Sequence, residues 1–374
     1  MLQLGPTSSI YRISPPLFQQ GMAQPDYIRL IIVCMSLSHR VNHSRNDPRS
    51  ATLVKSFLHY RGLIIRSLVE DLNLNHKRTS DHVIGGILTL LLVDAQQGAS
   101  TNWRCHIDGI RQIMGLRGGI QAVARSKGVA SLLVSFVYLS VFGDTTSPVS
   151  DLAMTESDLD GLKFLIKRDE NSSRTFMSRP SALFAEIINI NYLRVRASTD
   201  TTTSPEDHSR KAYEILTRVL DFSPEKWAES KPVAKEDWLL LASIYQAAVS
   251  LYCIHSLQSI GVLPITSFLR KNCTAHSHLL HVLLSKAVLS LSIRGFMLWP
   301  LVVLGMETVN GGVSVRHFIR EELVEMSHYT GSYMPVTAKH VLERFWDSGN
   351  THWDVCFDRS YAFATLLAAD ASKL

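Results

Sequence analysis

Apolar residues recur along this chain at the three- and four-residue spacing of α-helices, and long β-branched runs with period two are absent. The clearest stripe lies between Arg49 and Leu72, directly after an Asn-Asp-Pro helix-start signal. Its apolar positions are Val54, Phe57, Leu58, Ile64, Ile65, Leu68, Val69 and Leu72. Spacing of this kind over nearly the whole chain predicts an all-α fold.

The same spacing predicts a succession of further helices. They are expected at 84–92, Trp103–Met114, Val129–Phe142, Ser181–Ala197, Ser209–Leu220, Lys235–Ile260, His276–Met297, Val315–Met326, Ala338–Trp346 and Asp358–Ala369. The polar breaks at 144–156, 167–180 and 198–207 are too short to tether independent domains. We therefore predict one large domain of packed antiparallel helices over 25–374, as a single body or as two packed lobes. Segment 1–24 is expected to be poorly ordered.

The stretch from Trp238 to Leu269 contains no Asp, Glu, Lys or Arg and is long enough to cross a bilayer. It also contains Gln246, His255 and Gln258, and Pro264 interrupts its end. These polar groups favour a helix buried inside the protein over a membrane span, so no membrane association is expected.

Composition excludes several classes of protein. With 374 residues, 46% of them hydrophobic, and a mean hydropathy of +0.07, the chain can bury a substantial core and is not disordered as a whole. The net charge is +5, and residues 1–81 hold ten basic against five acidic residues. These charges are dispersed among apolar positions, so they predict solvated helix faces more readily than a nucleic-acid surface.

The cysteines indicate a reducing compartment. All five are isolated in sequence, without a C-x-x-C pair, so neither a disulfide framework nor a zinc knuckle is predicted. They are Cys34, Cys105, Cys253, Cys273 and Cys356.

Candidate catalytic and metal-binding patterns are sparse. His39 and His43 share a helix face without the glutamate of H-E-x-x-H, and the H-x-H-x-x-H of His276, His278 and His281, placed at a helix start, has no nearby carboxylate. Magnesium-binding aspartate clusters, G-x-S-x-G, P-loop and dinucleotide motifs are absent. Two L-x-x-L-L strings, at 88–92 and 280–284, are expected to pack in the core. We therefore predict no catalytic, metal-binding or cofactor-binding residues, and no enzyme activity.

Two blocks of sequence carry a family resemblance. The first is Trp103-Arg104-Cys105-His106-Ile107-Asp108-Gly109, closed by Leu116-Arg117-Gly118-Gly119, and the second runs from Trp299-Pro300-Leu301 to Glu307. Trp346 and Trp353 follow the second block. In order and spacing these residues resemble the regulatory domain of fungal zinc-binuclear-cluster transcription factors. The likeness extends over about residues 25–370.

The resemblance implies an all-α regulatory domain that acts in the nucleus and controls transcription. It also implies a pathway-specific role in fungal secondary metabolism. It implies protein partners, with a small-molecule effector as an open alternative, whereas the motif residues themselves are expected to be mainly structural. The six clustered cysteines that hold two zinc ions in this family do not occur in this sequence. Direct DNA binding is therefore not expected of these residues. Two alternatives stay open: a cytoplasmic helical interaction scaffold without transcriptional output, and an all-α enzyme.

Overall fold

The structure, a computed structural model, describes Gln19 and residues 25–364 except 45–49, 99–102, 127–128, 171–179, 201, 232–233 and 311. These residues form sixteen α-helices and no strand, which confirms the all-α prediction. In chain order the helices are α1 (Asp26–His43), α2 (Ser50–Asn73), α3 (Asp81–Gln96), α4 (Trp103–Leu116), α5 (Ile120–Ala124), α6 (Ala130–Thr145), α7 (Glu156–Glu170), α8 (Ser181–Thr199), α9 (Pro205–Asp221), α10 (Pro224–Glu229), α11 (Lys235–Ser259), α12 (Ser267–Ala287), α13 (Leu298–Glu307), α14 (Val313–Thr330), α15 (Met334–Ser348) and α16 (Trp353–Cys356).

Local sequence signals explain many of the helix ends. Four helices begin at a serine or threonine whose side chain accepts a hydrogen bond from the backbone N–H three residues later. These capping residues are Ser80, Ser204, Ser223 and Thr266. At the other end, α14 and α15 stop at Gly331 and Gly349, with φ of 61° and 66°. Glycine adopts this left-handed conformation without the steric cost of a Cβ atom.

Helix α11 lies in the middle of the fold and packs against α8, α9, α10, α12, α13 and α16. Its most apolar window is 72% buried, and among the described helices it alone is long and apolar enough to cross a membrane. Its burial among six other helices matches the prediction of a core helix. Both L-x-x-L-L strings also lie in the core, since Leu88, Leu91, Leu280 and Leu284 are fully buried.

The remaining helices connect this centre to the N-terminal part of the chain. Helices α1, α2, α3 and α4 pack in sequence, α6 joins α3 to α8, and α14 returns to α1. The Asn42 side chain donates a hydrogen bond to the Gly331 carbonyl at 2.9 Å, and the Tyr333 N–H donates to the Gln96 carbonyl at 2.8 Å. The buried apolar side chains form one continuous core from Tyr27 to Ala364.

Three sequence predictions of element boundaries are wrong. Helix α12 begins at Ser267, where Thr266 caps it, so His276 lies inside the helix. It ends at Ala287, and the apolar W-P-L segment forms the separate helix α13 instead of following a helix that reaches Met297. Residues 358–364, predicted as helix, are not helical, and 365–369 lie outside the described residues.

The non-helical course of 358–364 has a clear physical cause. The Tyr361 N–H donates to the Thr146 carbonyl at 3.1 Å, and the Thr146 hydroxyl donates to the Tyr361 carbonyl at 2.6 Å. These bonds satisfy backbone groups that a helix would otherwise pair internally. They place the apolar residues 361–364 in the core. Apart from Gln19, the segment 1–24 lies outside the described residues.

Candidate functional site

The first motif block occupies α4, and its tryptophan anchors the helix to α6. Trp103 is buried, and its indole N–H donates to the Ser360 carbonyl at 3.3 Å. A Cβ atom on Gly143 would lie 2.2 Å from the Trp103 Cη2 atom. Close approach of α4 and α6 at this point therefore requires glycine at position 143.

His106 belongs to a buried polar cluster that joins α2, α3 and α4. The Asp94 carboxylate accepts two hydrogen bonds from Arg61, both at 2.7 Å, and its Oδ2 lies 2.9 Å from His106 Nε2. Burial alone would raise the pKa of Asp94, but the hydrogen bonds from Arg61 and His106 lower that pKa below its ordinary value. Asp94 is therefore ionised, and its charge is compensated by side chains on two neighbouring helices.

The L-R-G-G end of the block forms the turn after α4. Gly118 and Gly119 have φ of 92° and 91°, and the Gly119 N–H donates to the Met114 carbonyl at 2.7 Å. Arg117 forms an ion pair with Asp81 in the first turn of α3. Leu116, by contrast, is 62% exposed, and a Cβ atom on Gly109 would meet no atom within 4 Å. Leu116 and Gly109 therefore lack the close packing of Trp103.

The second motif block forms α13, and its tryptophan meets Trp353 at the end of α6. The Trp299 indole N–H donates to the Thr145 hydroxyl at 2.8 Å, while the Trp353 indole N–H donates to the Thr145 carbonyl at 2.9 Å. Pro300 sits in the first turn of α13, where a missing N–H costs no intrahelical bond. Since Trp103 packs against Gly143, the last turn of α6 brings both motif blocks together.

Trp346 on α15 holds the other end of α13. Its indole N–H donates to the Gly305 carbonyl at 2.8 Å. The guanidinium groups of Arg316 and Arg320 lie over its ring, 5.4 and 5.0 Å from the ring centroid. Helix α13 is therefore fixed by indole hydrogen bonds near both its ends.

A buried arginine that the sequence analysis did not single out connects these elements. Arg194 on α8 is 0% exposed and donates to the carbonyls of Asp144 and Ser147 at 3.0 and 3.1 Å. It also donates to the Tyr252 hydroxyl at 3.2 Å and to Asp354 Oδ1 at 2.8 Å. The available signal was a pair of polar residues, Asn191 and Arg194, on the mainly apolar buried face of α8, but no pattern identified the partner of Arg194 on α16.

Glu307, at the end of α13, pairs with a histidine of α11. Its Oε2 atom lies 2.6 Å from His255 Nε2. Burial lowers the pKa of His255, but Cys273 and Glu307 outweigh burial and raise that pKa above its ordinary value. His255 is therefore held in its protonated form beside Glu307. His255 lies in the Trp238–Leu269 stretch that has no other charged group.

A cavity of about 440 Å³ opens beside this ion pair, between α11, α12, α13 and the segment before α16. It is lined by His255, Gln258, Ser259, Ile265, Thr266, Arg270, Cys273, Thr274, Met306, Glu307, Val309, Thr351 and His352. Its volume lies within the range of small-molecule sites in proteins. Glu307 is thus the member of the second motif block that contributes a charged group to a cavity.

In the described part of the chain the cysteines form no disulfide, and the cysteines and histidines form no metal-binding group. Cys34, Cys253, Cys273 and Cys356 are buried, Cys105 is exposed, and all five are free thiols. Burial raises the pKa of Cys34 to about 11, which keeps it a neutral thiol. No cluster of three or more His, Cys, Asp or Glu side chains within the described ranges has the arrangement of a metal site.

Comparison with known proteins identifies the family. Residues 17–364 match the family described as "Fungal specific transcription factor domain". The chain is 40% identical over 375 residues to a "Phomenoic acid biosynthesis cluster-specific transcriptional regulator" of Leptosphaeria maculans, and the match covers 100% of this chain and 72% of that relative. No solved structure matches.

These matches confirm the family resemblance carried by the two motif blocks and the predicted regulatory role in transcription. The family match spans both blocks and all of the described helices. The chain therefore belongs to the family of fungal-specific transcription factor domains.

Proposed function

We propose that this chain is the effector and interaction domain of a pathway-specific regulator of fungal secondary metabolism, and that it acts in the nucleus. The observation that carries the proposal is the likeness, over the whole of this chain and 72% of the relative, to a protein whose name specifies regulation of one biosynthesis cluster. A cluster-specific role for this chain follows from that likeness. Its target genes are then those of a biosynthetic cluster, and its regulatory output is a change in their transcription.

DNA recognition is assigned to a separate module, in a longer form of this protein or on a partner chain. The zinc cluster typical of the family needs six closely spaced cysteines, whereas the five cysteines of this sequence are far apart. Four of them are buried singly in the helical core. The regulatory domain then works through protein contacts with the DNA-binding module and the transcription machinery.

The proposal does not include catalysis. The ionised groups inside the fold support this, because Asp94 and Arg194 are bound to structural partners on neighbouring helices. The tryptophans of the motif also have structural partners, because each indole N–H donates a hydrogen bond inside the fold. They are Trp103, Trp299, Trp346 and Trp353. We assign to them the role of holding the regulatory domain in shape.

Tethering tests the regulatory role directly. Residues 25–374 are fused to an unrelated DNA-binding module, and a reporter with the matching binding site is measured in a fungal host. We expect activation or repression relative to the DNA-binding module alone. A fusion that is expressed and folded, but leaves the reporter unchanged under all growth conditions, contradicts the proposal.

Localisation and partners distinguish the regulator from a cytoplasmic scaffold. A fluorescent tag on the natural protein should report nuclear accumulation, and co-purification should recover a DNA-binding protein unless the chain has its own module. Sequencing the 5′ end of the transcript decides between these two sources of DNA recognition. Stable cytosolic partners, together with unchanged transcripts after gene deletion, would favour the scaffold.

A further inference from the structure

We propose that the cavity beside Glu307 binds a small organic monocarboxylate with an apolar body, and that this ligand is an effector of the protein. The binding site depends on the geometry of the cavity alone, whereas the role of the ligand as an effector rests on the proposed function. Nothing in the family match or in the name of the relative assigns a ligand to these residues.

Among the charged side chains that line the cavity, Arg270 has no carboxylate partner. Glu307 is the sole acidic residue of the lining, and it is paired with His255 at 2.6 Å. Arg270 on α12 is the remaining fixed charge, and it forms no ion pair within the described part of the chain. One unbalanced guanidinium favours a ligand with a single negative charge.

Hydroxyl groups beside Arg270 supply further contacts for an anion. The Thr266 Oγ1 atom accepts a hydrogen bond from the Leu269 N–H, which leaves its O–H to donate to a ligand. His352 lines the same cavity from the segment before α16. No acidic residue occupies the first turn of α12, so an anion bound there meets no like charge on that turn.

The other part of the lining is apolar. Met306 of α13 and Val309 of the following turn are buried side chains at the cavity wall, and Ile265 lies at its exposed side. These side chains suit a hydrocarbon body better than a second charged group. A free phosphate, with up to two charges and no apolar part, would leave this wall without a partner.

A ligand in this position would touch three helices at once. Arg270 comes from α12, Met306 and Glu307 from α13, and His255 from α11. Because α13 is also bound to α6 through the hydrogen bond from Trp299 to Thr145, a bound acid would stabilise the position of α13 against α6.

Octanoate is a suitable probe, since it combines one carboxylate with an apolar chain. We expect isothermal titration calorimetry of the purified 374-residue protein to show one site for sodium octanoate, with a rise in the thermal midpoint. Octan-1-ol, which lacks the charge, should bind at least about tenfold more weakly, because a charge-assisted hydrogen bond contributes on the order of one to two decades in affinity. Inorganic phosphate should bind more weakly than octanoate.

Two matched variants locate the site. Arg270→Gln should weaken octanoate binding at least about tenfold. Lys286→Gln removes one positive charge from the last turn of the same helix, which lines neither this cavity nor the pocket beside it, and should leave the affinity unchanged. Both positions are exposed, so neither variant is expected to disturb the fold.

Several results would overturn the inference. They are absence of octanoate binding, equal binding of octanoate and octan-1-ol, tighter binding of phosphate, or equal effects of the two variants. The tethered reporter separates this inference from the proposed function. Reporter output without octanoate binding overturns the ligand site alone, and octanoate binding without reporter output overturns the regulatory role alone.

Discussion

Replacement of Arg194 by methionine tests how the centre of this fold is held together. Arg194 is 0% exposed, and its guanidinium connects the end of α6, the core helix α11 and the short helix α16. Methionine keeps a similar length and an apolar stem but removes all four hydrogen bonds. The substitution also leaves the carboxylate of Asp354 without its cationic partner.

The expected loss of stability follows from this stranded charge. Removing one member of a buried ion pair typically costs about 3–5 kcal/mol. The Asp354 side chain is still 17% exposed, so water compensates part of its charge and we expect the lower end, about 3 kcal/mol. At about 1.4 kcal/mol per decade, this corresponds to a shift of roughly a hundredfold in the folding equilibrium.

Urea denaturation followed by circular dichroism measures this loss, with Arg210→Met as the matched control. Arg210 also pairs with carboxylates, but its side chain is 66% exposed, and those of Asp207 and Glu214 are 43% and 57% exposed. Exposed pairs contribute about 0–1 kcal/mol, so the control should unfold close to the wild-type midpoint. Equal destabilisation by the two variants, or a loss below about 1 kcal/mol for Arg194→Met, would refute the assignment of Arg194 as the central connection.

Two further predictions concern packing and pH. Gly143→Ala should cost about 1–3 kcal/mol, because the added Cβ atom would lie 2.2 Å from Trp103, whereas Gly109→Ala, with open space around it, should stabilise its helix by about 0.5–1 kcal/mol. If Gly143→Ala and Gly109→Ala shift the denaturation midpoint in the same direction and by the same amount, this contrast is contradicted. Burial and the neighbouring His43 lower the pKa of His39 below 6.5, so unfolding takes up a proton and stability is lost as the pH falls below about 6.5. His39→Gln should reduce the slope of stability against pH below about pH 6.5. An unchanged slope would contradict the assignment of this pH dependence to His39.

The elements that the sequence predicts well are those with a long, one-sided apolar stripe. The helix expected over Arg49–Leu72 is found at Ser50–Asn73, and the helix expected over Lys235–Ile260 is found at Lys235–Ser259. Periodicity is sufficient there because burial of one face, or of the whole helix, dominates the energetics. Gly118 and Gly119 also mark the end of α4 in the sequence, because a left-handed turn favours glycine.

The failures occur where tertiary contacts override local pattern. Residues 358–364 are apolar enough for a helix, yet hydrogen bonds to Thr146, more than two hundred positions away in sequence, hold them in a non-helical course. Helices α1, α5, α7, α10, α13 and α16 were likewise not predicted as separate helices. In α13 the apolar residues cover all sides of the helix, so no stripe marks where it begins.

The motif residues were found by resemblance, but their partners were not. Trp299 and Trp353 both meet Thr145, and these pairings span 154 and 208 positions of sequence. Spacing within one sequence carries no information on such distant contacts. The cavity beside Glu307 was missed for the same reason, because His255, Arg270 and Glu307 belong to three different helices.

We propose that this chain controls the transcription of one biosynthetic gene cluster. Transcript profiling of a strain that lacks the gene, with a complemented strain as control, tests it most directly. We predict that transcripts of one contiguous gene cluster change together and recover on complementation. Unchanged transcripts, under conditions where the protein is present in the wild type, would contradict the account.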